Sequence, residues 1–237
     1  EVTASDFEFE AWSPDRPTLY QVWLGLNSAS TTDERSFALG FRHISCTSQD
    51  LRLNGMPVYI RGIYDDDFDP TTGHAFAGDE CVESRLLTLK HRGFNLVRCR
   101  GKIPDPRYLD AADRVGLLVW YEVPGWSRPH EANAVPEEAT DEIAAMLRDL
   151  AVRDSHHPSL AIRSIAPTPR SVEIEKSSAD RRTLRTLTNI ARESDSTSLV
   201  VDTAVDVANT HLDTDLVDVV LRPLVSEDGN QFAARVQ

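Results

Sequence analysis

Lysine is scarce in this chain of 237 residues and stands only at positions 90, 102 and 176. Acidic residues outnumber basic ones by 38 to 25, so the formal net charge at neutral pH is −13. Nucleic acids and anionic membrane surfaces are bound by clustered cations, which this sequence does not have. We therefore expect neither nucleic acid nor membrane as a partner. The preference for Arg and Asp is typical of proteins from salt-loving microbes and also of GC-rich genomes, and both explanations remain open.

Long apolar runs and paired cysteines are also missing. No stretch approaches the roughly 18 consecutive apolar residues of a membrane span. The first residues, EVTASDFEFE, lack the basic start and apolar centre of a signal peptide. Cys46, Cys81 and Cys99 form no CxxC or Cys-His spacing, so we expect buried free thiols, no metal site and no cofactor. These absences predict a cytoplasmic globular protein, and 41% hydrophobic residues are enough for a core.

The order of the predicted elements divides the chain in two. Residues 1–45 read as β-strands, including TLYQVWLGL and SFALGFRHI, and are too few to form a domain alone. From about residue 51, strands alternate with helices, which predicts a parallel sheet covered by helices. The predicted units are a hairpin at Asn54-Gly55 followed by a buried strand, a helix with Leu86, Leu87 and Leu89 on its apolar side, a strand in FNLVRCR, a helix ending at Gly116, a strand in LLVWYEV, a helix over 137–153, a strand over 160–165, a helix over 179–193, a strand over 199–202 and a weaker strand near 216–221.

Two α/β architectures can accommodate about six such units. A doubly wound nucleotide-binding sheet needs a glycine-rich loop after its first strand, but the loop here is DDDFDPTTGHAF. Its three consecutive aspartates would repel a pyrophosphate. The sequence therefore favours a (β/α)8 barrel, with the candidate site at the carboxyl ends of the strands.

Five motifs follow one another along the chain: WSPDRPTLYQVWL, GFRHI, LRLNGMPVYIRGI, GFNLVRCRGKIPDPRYLDAADRVGLLVWYEVPGW and RDSHHPSLAI. In this order they resemble the family 2 glycoside hydrolases, the β-galactosidase and β-glucuronidase group. The resemblance implies that residues 1–47 are the C-terminal strands of an immunoglobulin-like β-sandwich domain. It also implies that residues 48–237 form an incomplete barrel of the catalytic type.

The same resemblance places a threonine at the catalytic acid/base position. Family members are retaining glycosidases, which require an acid/base and a nucleophile, both carboxyl groups. Counting from His157-Pro158-Ser159, Arg163 stands where Trp is usual, Pro167 where Asn is usual and Thr168 where the Glu is expected. The nucleophile belongs to the seventh strand, which we expect to lie beyond Gln237, and Glu227 is a poor late candidate. A threonine hydroxyl cannot protonate a leaving oxygen near neutral pH, so the catalytic residues remain unknown.

Several other family contacts have counterparts that we assign to substrate binding. Arg98 and Lys102 match the family pattern, whereas Arg100 stands where a His is usual. The full set of expected substrate-binding residues is Asp65, Arg98, Arg100, Glu122, Trp126 and Asp202.

Each of these residues also has a structural interpretation. Arg98 can hold a buried ion pair with Glu122 instead of a sugar, and Trp120 can pack in the core instead of stacking on one. The histidines before Pro158 are expected to serve a turn. The aspartates at positions 65, 66, 67 and 69 suggest calcium, but a solvated acidic loop is the preferred interpretation.

The predicted function is hydrolysis of β-linked galactosides or glucuronides with retention, by family resemblance, while this chain alone is expected to be inactive. Two alternatives stay open. One is a pseudoenzyme that binds carbohydrate through Arg98, Glu122 and Trp126. The other is a homo-oligomer or a subunit that completes its barrel with another chain, because open sheet edges invite pairing.

Overall fold

The protein has ten strands and four helices in the part of the chain that a computed structural model describes, residues 8–28, 30–47, 50–65, 67–68, 73, 78–124, 137–165 and 178–201. The elements are β1 (Tyr20–Asn27), β2 (Thr32–Leu39), β3 (Ile44–Cys46), β4 (Leu51–Leu53), β5 (Met56–Pro57), β6 (Gly62–Tyr64), α1 (Asp79–His91), β7 (Leu96–Cys99), α2 (Pro106–Val115), β8 (Leu118–Glu122), α3 (Glu137–Asp154), β9 (Leu160–Ser164), α4 (Ser178–Ser194) and β10 (Leu199–Val201). Among these described helices, none is long and apolar enough to cross a membrane.

Five parallel strands form the main sheet in the order β10-β9-β8-β7-β6. Among the described strands, each lies beside its predecessor in the chain, and the order does not reverse. A doubly wound sheet reverses its order at the point where it binds nucleotides, whereas a barrel adds strands in one direction. The strand order therefore confirms the predicted barrel fold, of which these strands form a part.

The two faces of the sheet bury separate sets of apolar side chains. Alternation along each strand directs Val97, Val119 and Val200 toward the helices, where they pack with Leu86 of α1 and Leu109 of α2. The opposite, inner face carries a second cluster. Its buried members are Trp12, Ile44, Leu51, Leu53, Leu96, Leu118, Ala161, Ile162 and Leu199.

The N-terminal strands contact the base of the sheet, where the parallel strands begin. β1 and β2 form an antiparallel ribbon, and β3, β4 and β5 form a small antiparallel sheet with its turn at Asn54 and Gly55. Trp12 is completely buried on the inner face and donates its indole N–H to the Asp113 carbonyl, 2.9 Å away. The predicted boundary between residues 47 and 48 stays a prediction, and β3 and β4 pair across it.

Helix α2 begins and ends as its sequence predicts. The Asp105 side chain accepts a 2.9 Å hydrogen bond from the Arg107 amide, and Pro106 occupies the first helical position. Gly116 ends the helix in the left-handed region, with φ 79°. These signals set the two ends of α2, so the helix stops just before β8 begins.

Three local predictions were wrong. The strand after the Asn54-Gly55 hairpin is largely exposed, because β6 pairs only with β7 in the described part of the chain. Leu87 of α1 is exposed, since the buried stripe follows the four-residue spacing of Val82 and Leu86. The thiol of Cys81 is exposed on the same helix, and only that of Cys99 is fully buried.

Candidate active site

An ion pair between Arg98 and Glu122 lies at the carboxyl ends of β7 and β8. Glu122 is 1% exposed and is the last residue of its strand. Arg98 donates to Glu122 Oε1 from Nε at 2.9 Å and also from Nη2, and the Gly101 amide donates to Oε2 at 2.9 Å. Both carboxylate oxygens therefore accept hydrogen bonds from fixed donors. The ion pair stabilises this end of the barrel.

Aromatic rings lie on either side of the Arg98 guanidinium. Its central carbon is 3.9 Å from the centroid of the Trp120 ring and 5.5 Å from that of the Tyr64 ring. The Trp120 indole N–H donates to Ser164 Oγ at 2.7 Å. These side chains form a continuous inner row across β6, β7, β8 and β9, which we call the mouth row: Tyr64, Arg98, Trp120, Glu122 and Ser164.

Two members of the mouth row, Tyr64 and Ser164, were not singled out from the sequence. Tyr64 pairs in register with Arg98 and is 56% exposed. The available signal was its spacing, because it lies two residues after Gly62 and is the last residue of the first parallel strand. An exposed ring at this end of a barrel offers a flat apolar surface for a ligand.

Asp65 and Asp67, which follow β6, face away from the mouth row. Asp65 accepts hydrogen bonds from Arg85 Nε at 3.0 Å and from the Tyr108 hydroxyl at 2.8 Å. Asp67 is 1% exposed and pairs with Arg85 at 2.8 Å and with Lys102 at 3.3 Å. The expectation of a solvated acidic loop was wrong for these two residues, because cations from α1 and from the loop after β7 enclose them.

Arg163, which by the resemblance stands where Trp is usual, is buried on the opposite, helix-facing side of the sheet. It donates from Nε to the Tyr121 hydroxyl at 2.9 Å and forms an ion pair with Asp195. The Tyr121 hydroxyl donates in turn to Asp154 at 3.0 Å. Burial raises the pKa of Tyr121 above its usual range, so the hydroxyl stays protonated. Arg163 therefore belongs to a structural network and does not reach the mouth row.

Of the remaining residues named from the sequence, some lie in the described part of the chain and others lie outside it. Arg100 is exposed in the turn after β7. His156 and His157 lie in the turn before β9, where the His157 amide donates to the Asp154 carbonyl at 3.0 Å. The residues that lie outside the described part of the chain are Asp66, Asp69, Trp126, Pro167, Thr168, Asp202 and Glu227.

Parallel strands added in one direction and helices packed on their outer face define part of a TIM barrel. The sequence matches the family described as glycosyl hydrolases family 2, TIM barrel domain, over residues 44–228. The chain therefore belongs to glycosyl hydrolase family 2, as the resemblance predicts.

Known members of the family match over a limited part of their own length. A β-galactosidase of Thermoanaerobacterium thermosulfurigenes is 26% identical over 190 residues, which cover 80% of this chain and 25% of the relative. The β-galacturonidase of Eisenbergiella tayi, solved with galacturonate, superposes with a TM-score of 0.70 at 26% identity. The superposition covers 81% of this chain and 33% of the β-galacturonidase chain. The β-glucuronidase of Parabacteroides merdae has a TM-score of 0.68 at 23% identity over 81% of this chain and 24% of its own, which supports the fold alone. This chain thus spans about a quarter of the length of the curated relative.

Proposed function

We propose that this chain is the barrel part of a glycosidase lineage acting on β-linked galactosides or glucuronides, and that the chain by itself does not cleave them. The observation that carries the proposal is the mouth row, which lies at the end of the barrel where enzymes of this fold hold their substrates. The exposed ring of Tyr64 in this row suits the apolar face of a sugar.

The carboxylates near the mouth row support the absence of cleavage. Retaining hydrolysis needs one carboxyl group as acid/base and a second, about 5–5.5 Å away, as nucleophile. Glu122 holds donors on both oxygens, and Arg85 contacts both Asp65 and Asp67. By the family pattern, the acid/base position is Thr168, whose hydroxyl does not supply a proton at neutral pH.

Two substrates with different leaving groups test this proposal. A dinitrophenyl β-glycoside releases its phenolate without protonation, whereas a methyl β-glycoside needs an acid. We expect neither turnover nor a rapid burst of phenolate from dinitrophenyl β-galactoside or β-glucuronide. An intact family 2 β-galactosidase serves as the positive control. A burst with the dinitrophenyl substrates alone would show that a nucleophile is present, and turnover of both would show a complete catalytic pair; either result would refute the proposal.

A second candidate is carbohydrate binding without turnover, and the exposed ring of Tyr64 favours it. Galactose and glucuronate titrated into the chain by calorimetry measure binding directly. We expect Tyr64→Ala to weaken any binding about five- to tenfold, because a lost aromatic contact is worth about 1 kcal/mol. Tyr59→Ala is the matched control, since Tyr59 is 61% exposed but lies before β6 and away from the mouth row. Equal affinities of the two variants would exclude Tyr64 as a sugar platform.

A further inference from the structure

One half-buried histidine joins the β1–β2 ribbon to the base of the barrel. His156 lies in the turn between α3 and β9, and its ring meets the Phe37 ring of β2 edge to face, with centroids 5.6 Å apart and planes at 78°. The His156 ring also packs on that of His157, with centroids 4.0 Å apart and planes tilted by 37°. The imidazole of His156 therefore contacts both the ribbon and the turn from which β9 starts.

The ribbon depends on such contacts because it buries little surface of its own. Among the residues of β1 and β2, none is fully buried, and in β2 only Phe37, Ala38 and Leu39 are half-buried. A two-stranded ribbon by itself is marginally stable in water. A change in the contact at Phe37 is therefore enough to shift the balance between a ribbon that is packed on the barrel and one that has separated from it.

We propose that His156 is a pH-sensitive contact, whose neutral imidazole packs the ribbon on the barrel base and whose protonated imidazole releases it. Histidine is the side chain that ordinarily changes its charge between about pH 5 and pH 8. A charged imidazole is best solvated in water, and the half-buried place beside Phe37 and His157 supplies little of it. Proton uptake therefore favours the state in which the ring has left this place.

The electrostatic surroundings of His156 favour its neutral form. The ribbon presents the uncharged Phe37, and the charged or titratable groups come from the same turn, from α2 and from α3: His157, Asp110, Asp113 and Asp154. Two of these carboxylates already have partners, since Asp113 Oδ2 lies 2.6 Å from His157 Nδ1 and Asp154 pairs with Arg153. Burial first, and the neighbouring His157 second, lower the pKa of His156 and outweigh the three carboxylates, which raise it.

The direction of the pH effect follows from this lowered pKa. With the ribbon separated and His156 in water, the imidazole binds its proton more tightly than in the packed state, so opening takes up a proton. The contact has its full strength above the ordinary histidine pKa of about 6.5 and weakens as the pH falls below that value. Carboxylates ordinarily titrate below about pH 5, so a change between about pH 7.5 and pH 5.5 reports histidine.

Hydrogen exchange of the whole chain at these two pH values tests the proposal. After correction for the intrinsic pH dependence of exchange, we expect the β1 and β2 amides to open at least about threefold more often at the lower pH. The amides of Val119 and Ile165, which bond within the parallel sheet, are expected to open equally at both. His156→Phe keeps a ring beside Phe37 but has no proton to gain, so its ribbon is expected to lose the pH dependence. His91→Phe is the matched control, since His91 is exposed on α1, and it is expected to keep the full pH dependence.

Proton NMR of the unaltered chain gives a second readout that does not depend on the folding of any variant. The imidazole resonances of His156 and His91 show the pH at which each ring is half protonated, and we expect the lower midpoint for His156. The proposal is overturned by an unaltered chain whose ribbon opens equally at both pH values, by His156→Phe that keeps the pH dependence, by His91→Phe that loses it, or by a His156 midpoint at or above that of His91.

Discussion

At the scale of single residues, Arg98 carries a charge in the interior of the barrel that only its neighbours make tolerable. Removing one partner of a buried ion pair leaves the other charge without compensation, which costs about 3–5 kcal/mol. We therefore expect Arg98→Leu to lower the free energy of unfolding by about that amount, because Glu122 keeps its carboxylate but loses its cation. Urea denaturation followed by circular dichroism measures the change.

The exposed pair between Arg35 and Asp33 gives the matched control for Arg98. Its side chains are 76% and 56% exposed, and surface pairs of this kind contribute about 0–1 kcal/mol. Arg35→Leu is therefore expected to change stability by less than about 1 kcal/mol. Equal effects of the two variants would mean that the Arg98–Glu122 pair does not stabilise this end of the barrel.

The sequence allowed the contacts of some residues to be predicted and not those of others, for identifiable reasons. The ion pair of Arg98 with Glu122 was foreseen as an alternative, because both residues end adjacent predicted strands. The burial of Asp67 was missed, since its partners Arg85 and Lys102 come from two other segments that the sequence cannot bring together. Local patterns identify the residues at a strand end, but only the packing of several elements decides which of them face solvent.

At the scale of elements, the end of α2 requires glycine at position 116 for two reasons, its left-handed backbone conformation and the atoms that lie close to it. Gly116 and Gly55 both have φ 79°, so alanine is strained at either position. A Cβ at Gly116 would lie 2.5 Å from the Pro14 carbonyl oxygen and from Lys90 Nζ, whereas one at Gly55 would meet nothing within 4 Å. We expect Gly116→Ala to lower the free energy of unfolding by at least about 1 kcal/mol more than Gly55→Ala. Thermal denaturation of the two variants compares them, and equal melting temperatures would show that only the backbone conformation matters.

Element identities followed from the sequence because periodicity and end signals are local. The alternation of strands and helices predicted the parallel sheet, and the glycine after α2 marked the helix end correctly. The exposure of β6 was not predictable in this way, because it depends on whether a neighbouring strand covers it, and that is a property of the sheet order. The same limit applies to Leu87. It lies in a helix, as predicted, but outside the buried stripe of that helix.

At the scale of the whole molecule, Arg42 joins the N-terminal strands to the base of the barrel. Its guanidinium donates to the backbone carbonyls of Pro158, at 3.1 Å from Nε, and of Leu160 and Thr197. Burial lowers the pKa of Arg42 to about 10, which still leaves it charged at neutral pH. Just before it, Gly40 approaches Pro158 so closely that an added Cβ would lie 2.5 Å from Cγ. One side chain thus holds the starts of β9 and β10 against the N-terminal segment.

We expect Arg42→Met to lower the free energy of unfolding by at least about 2 kcal/mol, because hydrogen bonds from a charged group contribute about 1.5–3 kcal/mol and three carbonyl oxygens lose their donor. Arg61→Met is the control, since Arg61 is exposed and its Nε donates to a single carbonyl, that of Gly93, at 2.6 Å. Urea unfolding measures the free energy of unfolding of both variants, and hydrogen exchange shows which part of the fold is destabilised in Arg42→Met. Faster exchange at Val119 and Ile165, whose amides bond to Ser159 and Val201, would place it in the parallel sheet. If the exchange increased only in β1 and β2, Arg42 would merely hold the ribbon in place, and the barrel base would be stable without it.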